Sequence, residues 1–217
     1  YSSGQHNTAI GYQALAAFTT AASNVAVGAY AGDTITTGAQ NTALGHSSLQ
    51  AATIIGNAVA VGWTALAMTT GDNNTGVGAE GLRYIGVGTG NVAIGRQAML
   101  SSGTAADNDA SDNVAIGLSA LTAITDGDRN VAIGAHSLST EDGHGRNVAI
   151  GYASLNALNA GADAYNVGIG YYAGAALTTG VNNIAIGHAL QTHTTGLRNI
   201  AIGHNAMNDT DAGSTSL

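Results

Sequence analysis

Two sets of residues in this chain combine reactive or ligand-binding side chains with a regular spacing. The first stands immediately after a recurring glycine: Tyr12, Ala29, His46, Trp63, Ala79, Arg96, Leu118, Ala135, Tyr152, Tyr171, His188 and His204. Tyr172 adds a second ring next to Tyr171. Rings with a polar tip can lie against sugars while their O–H and N–H groups meet hydroxyls, so Tyr12, His46, Trp63, Arg96, Tyr152, Tyr171, Tyr172, His188 and His204 are candidates for binding a receptor or glycan. The same rings could instead fill a groove between packed subunits. His188 and His204 fall one repeat apart, a separation of about 5 Å if repeats stack as strands do. Two imidazoles so placed can share a metal ion, although one chain offers no third ligand; stacked or solvated rings are the alternative.

The second set is acidic. Asp107-Asn108-Asp109-Ala110-Ser111-Asp112 alternates oxygen ligands as the start of a calcium loop does. Asp107, Asp109, Ser111 and Asp112 are therefore candidate calcium ligands. Asp112 stands where such a loop needs glycine and Leu118 where it needs glutamate, so a plain acidic surface loop is the competing reading.

What positions both sets is a repeat. A phrase close to Asn-Val-Ala-Ile-Gly begins at Asn7, Asn24, Asn41, Ala58, Asn74, Asn91, Asn113, Asn130, Asn147, Asn166, Asn183 and Asn199, mostly seventeen residues apart. A short, near-constant period means one unit stacked on itself, hence a solenoid. β-Branched residues two apart, closed by a glycine, read as a short strand entering a turn. A glycine every few residues argues against helix. The fold class is therefore all-β: a parallel β-solenoid of about twelve rungs of ~17 residues, forming a single repeat domain over 1–217. The largest irregularity is an inserted loop at 101–112, where the interval grows to 22. Tyr1 falls in the middle of a rung, so the chain is expected to be a piece of a longer fibre.

Within the phrase, the Asn column is expected to form a ladder of side-chain amides, broken only at Ala58, where Asn57 could take over. The second and fourth columns are bulky and apolar and are expected to face the interior; the third is always Ala or Gly. Since both faces are apolar, both must be covered, and the Ala/Gly face is expected to meet a second copy of the chain. Ala14-Leu15 and its equivalents are expected to form the opposite wall, and Thr-Thr-Gly, as at Thr36-Thr37-Gly38, the return turn.

Composition narrows the function. A net charge of −8, with five arginines and no lysine, argues against binding nucleic acid or an anionic membrane. With no cysteine there is neither a disulfide framework nor a thiolate site. No apolar run is long enough for a membrane-spanning helix. Neither a nucleophile–base pair nor paired carboxylates converge in the repeat, so the chain reads as non-enzymatic and without a cofactor beyond the calcium considered above. Flat Thr-x-Thr columns suited to ice and the six-residue period of β-helix acyltransferases are also missing.

Asn7-Thr8-Ala9-Ile10-Gly11-Tyr12-Gln13-Ala14-Leu15 and its copies resemble the repeats of YadA-like trimeric adhesin heads and, in their longer wording, those of bacteriophage tail fibres. The likeness spans essentially the whole chain. It implies a left-handed β-roll, three chains side by side, displayed on a virion appendage or a bacterial surface. It also implies a homotrimeric, extracellular, tail fibre-like segment that binds a host or cell-surface glycan or protein, with an adhesin head or a passive spacer as the other possibilities.

Overall fold

The computed structural model describes residues 4–101 and 108–208. Each rung contributes one three-residue strand: β1 (Thr8–Ile10), β2 (Val25–Val27), β3 (Thr42–Leu44), β4 (Val59–Val61), β5 (Thr75–Val77) and β6 (Val92–Ile94), then β7 (Val114–Ile116), β8 (Val131–Ile133), β9 (Val148–Ile150), β10 (Val167–Ile169), β11 (Ile184–Ile186) and β12 (Ile200–Ile202). They form one parallel sheet in chain order, in which every strand pairs with the next rung's strand in register. β6 and β7 pair Val92 with Val114 and Ile94 with Ile116, so the 22-residue interval leaves the stack intact. The chain is a parallel β-solenoid, as its period predicts.

The two faces of the strand are the reverse of the sequence expectation. Ala26, Ala43, Ala60, Ala93, Ala115, Ala132, Ala149 and Ala185 are buried inside the rod, whereas the flanking Val, Ile and Leu are half-buried or exposed. The reason is the thinness of the rung. Its interior is already filled from the turns by Leu49, Leu66, Leu82, Leu121, Leu138 and Leu155 and by Ile35, Ile85 and Ile124. A large side chain on one wall leaves room only for a small one opposite. At Gly168 even an added Cβ would come within 2.7 Å of the Leu155 side chain. The bulky columns therefore point outward, and Ile133, expected inside, lies on the outer face.

Leu15, Leu66, Met99 and Leu121 do form the opposite wall, but through an unforeseen backbone. Each has a positive φ, near +50°, as do the residues two before them: Gln13, Thr64, Gln97 and Ser119. Left-handed L-residues are costly; here they turn alternate N–H groups toward opposite neighbours. The Thr64 N–H donates back to the His46 carbonyl at 3.0 Å and the Leu66 N–H forward to Gly81 at 2.9 Å. Thr-Thr-Gly is the return turn, and its hydroxyls extend the ladder: Thr36 Oγ1 donates to the Thr53 carbonyl at 3.0 Å. Tyr84-Ile85-Gly86-Val87-Gly88, a partial copy of the strand phrase, occupies this turn in the fifth rung, with Ile85 in the core and Val87 exposed.

The Asn ladder is present and buried. Asn41, for example, receives Ala58 N–H on its Oδ1 at 3.0 Å and donates from Nδ2 to Asn24 Oδ1 at 3.0 Å and to the Ile55 carbonyl at 2.8 Å. Asn57 is exposed and does not replace the missing amide of Ala58. Instead Asn74 turns one Nδ2 hydrogen to the Gly71 carbonyl at 2.9 Å and the other to Gly88 at 2.7 Å. In the other sixteen-residue step, from Asn183 to Asn199, the Asn183 amide donates to the carbonyl thirteen residues on, at Gly196. Gly71 stands in that relation to position 58. Ala58→Asn should therefore restore the ladder and raise stability by about 1 kcal/mol, the net worth of a hydrogen bond. Thermal unfolding beside the parent chain checks it; a lower midpoint would mean the space has closed.

Candidate functional site

The residues after each strand glycine lie on the surface because the glycine turns the chain out of the sheet. Tyr12, His46, Trp63, Arg96, Tyr152, Tyr171 and His204 are exposed, and Tyr172 and His188 are half-buried. Rung stacking brings many of them together. Tyr152 and Tyr171 stack with ring centroids 5.6 Å apart, Tyr171 and His188 at 6.1 Å, and His188 and His204 at 5.2 Å, all within 22° of parallel. Tyr172 meets Tyr171 edge-on at 4.6 Å, and His136, not singled out from the sequence, meets Tyr152 edge-on at 6.0 Å. A smaller group joins Tyr12, Tyr30 and His46 through edge contacts at 5.4 and 5.8 Å.

This geometry alters what the track can present. The stacked rings of Tyr171 and His188 use their faces on each other, leaving ring edges and tyrosine hydroxyls to solvent. Trp63 is 52% exposed, with the Arg83 guanidinium 5.8 Å from its ring. Arg83 is also held by Glu80 at 2.7 Å and lies 4.9 Å from the ring of Tyr84; Glu80 in turn accepts from Gln97 at 2.9 Å. Arg96 stands apart from this cluster in the contacts described.

Of the calcium candidates, Asp107 lies outside the described residues. Asp109 and Asp112 are exposed. Ser111 serves the ladder: its N–H donates to Asp128 Oδ1 at 2.8 Å, and its Oγ donates to the Asp109 carbonyl and accepts from Thr89 N–H, both at 3.0 Å.

One group escaped the sequence reading. Glu141, Asp142 and His144 each bring a ligand atom within 4.8 Å of the others, the only such acidic or histidine trio among the described residues. Glu141 is wholly buried. Burial pushes its carboxyl up to about 7, against the pull of the His144 N–H hydrogen bond and of the nearby Ala160 backbone, and the nearby charge of Asp142 adds to the rise. The signal was available in the columns: eleven residues after the start of a phrase stand Ile35, Ile85, Ile124, Leu158 and Leu177, with the uncharged Thr69 and Thr194 among the polar exceptions, but after Asn130 the charged Glu141.

The raised Glu141 carboxyl has a signed consequence. In the unfolded chain it titrates near 4.5, so the native state holds the proton more tightly. The resulting stability is complete below pH 4.5 and is lost as pH rises through about 7, a change of about 3 kcal/mol for a shift of this size. Glu141→Gln removes the titration. In metal-free buffer, the urea midpoint of that variant should gain on the parent between pH 4.5 and 8; parallel curves would show that Glu141 is not buried as described.

No family model, curated protein or solved structure matches the chain.

Proposed function

We propose that the chain is a non-enzymatic attachment segment of a homotrimeric, extracellular or virion-borne fibre, tail fibre-like in role. One observation carries this reading: the outer face of the sheet is an uncharged, largely apolar strip. Its twenty-four positions are Val, Ile or Leu except for Thr8, Thr42 and Thr75, with no charge in twelve strands. Ile10, Leu44, Ile94, Ile169 and Ile202 remain exposed on it. With strands about 4.8 Å apart, the strip is about 50 Å long and about 10 Å wide, the scale at which a soluble chain covers apolar surface with a partner.

A second copy of the same chain is the natural cover, because an identical period is the one surface that stays in step over the full length. Three rods packed by these strips form a stiff shaft, with the rings after each glycine on its flanks. Repetition then supplies avidity from weak single contacts. Tyrosine hydroxyls along Tyr152, Tyr171 and Tyr172, together with exposed Trp63, suit hydroxyl-rich ligands such as cell-surface glycans. The same assembly on a bacterial surface would be an adhesin head. The mutual stacking of the rings favours a further reading, a spacer carrying its binding tip elsewhere.

Light scattering on the purified chain should return three times the monomer mass, and a monomer would overturn the trimer. A glycan array then separates attachment from spacing: selective binding lost in Trp63→Ala or Tyr171→Ala supports attachment, and a blank array supports the spacer.

A further inference from the structure

The return turn of the eighth rung is chemically unlike its neighbours. Where the seventh rung has Ile124 and, three residues on, Gly127, the eighth has Glu141 and His144. Ile124 and Leu158 occupy the core on either side, so the carboxylate of Glu141 replaces an aliphatic group in an apolar column. A buried carboxylate is strongly disfavoured unless a cation or a full set of donors meets it. Glu141 Oε1 accepts the His144 N–H at 3.1 Å. Among the described residues its Oε2 has no hydrogen-bond partner, and neither does His144 Nδ1, which lies 3.8 Å from Oε1. Two buried ligand atoms thus stand unpartnered beside a third, from Asp142. Arg146, the nearest arginine in the chain, is paired with Asp163 instead.

We propose that Glu141, Asp142 and His144 bind a divalent transition-metal ion, zinc being the ion their donor set suits best. Two carboxylates and one imidazole, with water in the fourth place, make a tetrahedral zinc site. Ligand atoms around such an ion are about 3.3 Å apart, from bonds of ~2.0 Å at the tetrahedral angle, so the 3.8 Å between Glu141 and His144 has little to close. Calcium, which takes six or more oxygens, is poorly served by an imidazole and two carboxylates. The His144 side chain is 32% exposed, giving the ion a way in from solvent. Bound there, the ion clamps a turn that also belongs to the ladder, since the His144 carbonyl accepts from Asn130 Nδ2 at 3.1 Å.

The test uses the whole chain, stripped with EDTA and titrated with Zn²⁺ against a chromogenic chelator. One zinc per chain is expected, with Glu141→Gln and His144→Ala each weakening binding at least tenfold and a joint His188→Ala/His204→Ala variant leaving it unchanged. Glu141→Gln keeps the volume and removes a buried charge, so it should fold; circular dichroism confirms this. The zinc-edge X-ray absorption spectrum should report one imidazole among oxygen neighbours. Binding unaffected by Glu141→Gln, or abolished only in the His188/His204 variant, overturns the site. So does failure to bind zinc at micromolar concentration.

Discussion

Ala132→Asp is expected to abolish the folded chain, while Ile133→Asp, one residue later, leaves the rung folded and breaks the proposed association of chains. Ala132 is wholly buried against the leucine wall, with Ala115 and Ala149 above and below it in register. A carboxylate there has no counter-charge and no space. Burying it unpaired and overpacking the rung together cost about 5 kcal/mol or more, at the extreme of single substitutions. The effect spreads, because each rung is held only by its neighbours. Ile133 points the other way, between Ile116 and Ile150 on the outer face. As a lone rod the variant loses only cross-strand contacts, about 1 kcal/mol. In a trimer packed by these faces it would put three carboxylates into an apolar seam, and light scattering should register a fall to monomer mass with an unchanged circular dichroism spectrum. If Ile133→Asp unfolds the chain and Ala132→Asp does not, the faces are assigned the wrong way round. If Ile133→Asp remains trimeric, the chains associate elsewhere.

That contrast also marks what the sequence could and could not say. The period, the strand positions, the obligatory glycines and the Asn ladder were all legible, because each repeats a local chemical demand in eleven or all twelve copies. The direction of the strand faces was not. Bulky Val and Ile ordinarily signal an interior, and the inference fails only because the rung is so thin that Leu66 or Leu138 fills it from the turn. The small residues at Ala60 and Ala132 are the complement of those leucines, which becomes visible only when columns six residues apart are weighed together. The positive φ values at Thr64, Leu66, Gln97 and Met99 were hidden too, since nothing in those side chains advertises a left-handed backbone. The surface column was legible as exposed, but the stacking of Tyr152, Tyr171, His188 and His204 depended on ring orientation, which spacing does not encode. Glu141 is legible as a charged residue in a column that otherwise holds uncharged ones, but the column alone does not bring Asp142 and His144 beside it.

Gly134→Ala should be among the most damaging single-methyl changes available to this chain, costing about 4 kcal/mol or more. Two separate effects meet there. Gly134 has φ of +129°, a backbone that side chains rarely adopt, and an added Cβ would lie 2.4 Å from the Gly151 carbonyl oxygen of the next rung. The obstacle is backbone, so no rotamer can yield; the rungs themselves must part, weakening the ladder on both sides. Gly203 separates the two effects. Its φ is +123°, but among the described residues nothing lies within 4 Å of an added Cβ. Gly203→Ala should therefore carry the backbone strain alone, about 1–3 kcal/mol. Urea unfolding and limited proteolysis of both variants check this. Gly134→Ala should open the chain to cleavage in the rungs flanking β8, and Gly203→Ala should loosen only its own rung. Equal losses in the two variants would mean that conformation alone demands the glycine. A larger loss at Gly134 would mean that rung spacing demands it as well, and would explain why the fifth column holds glycine in every copy.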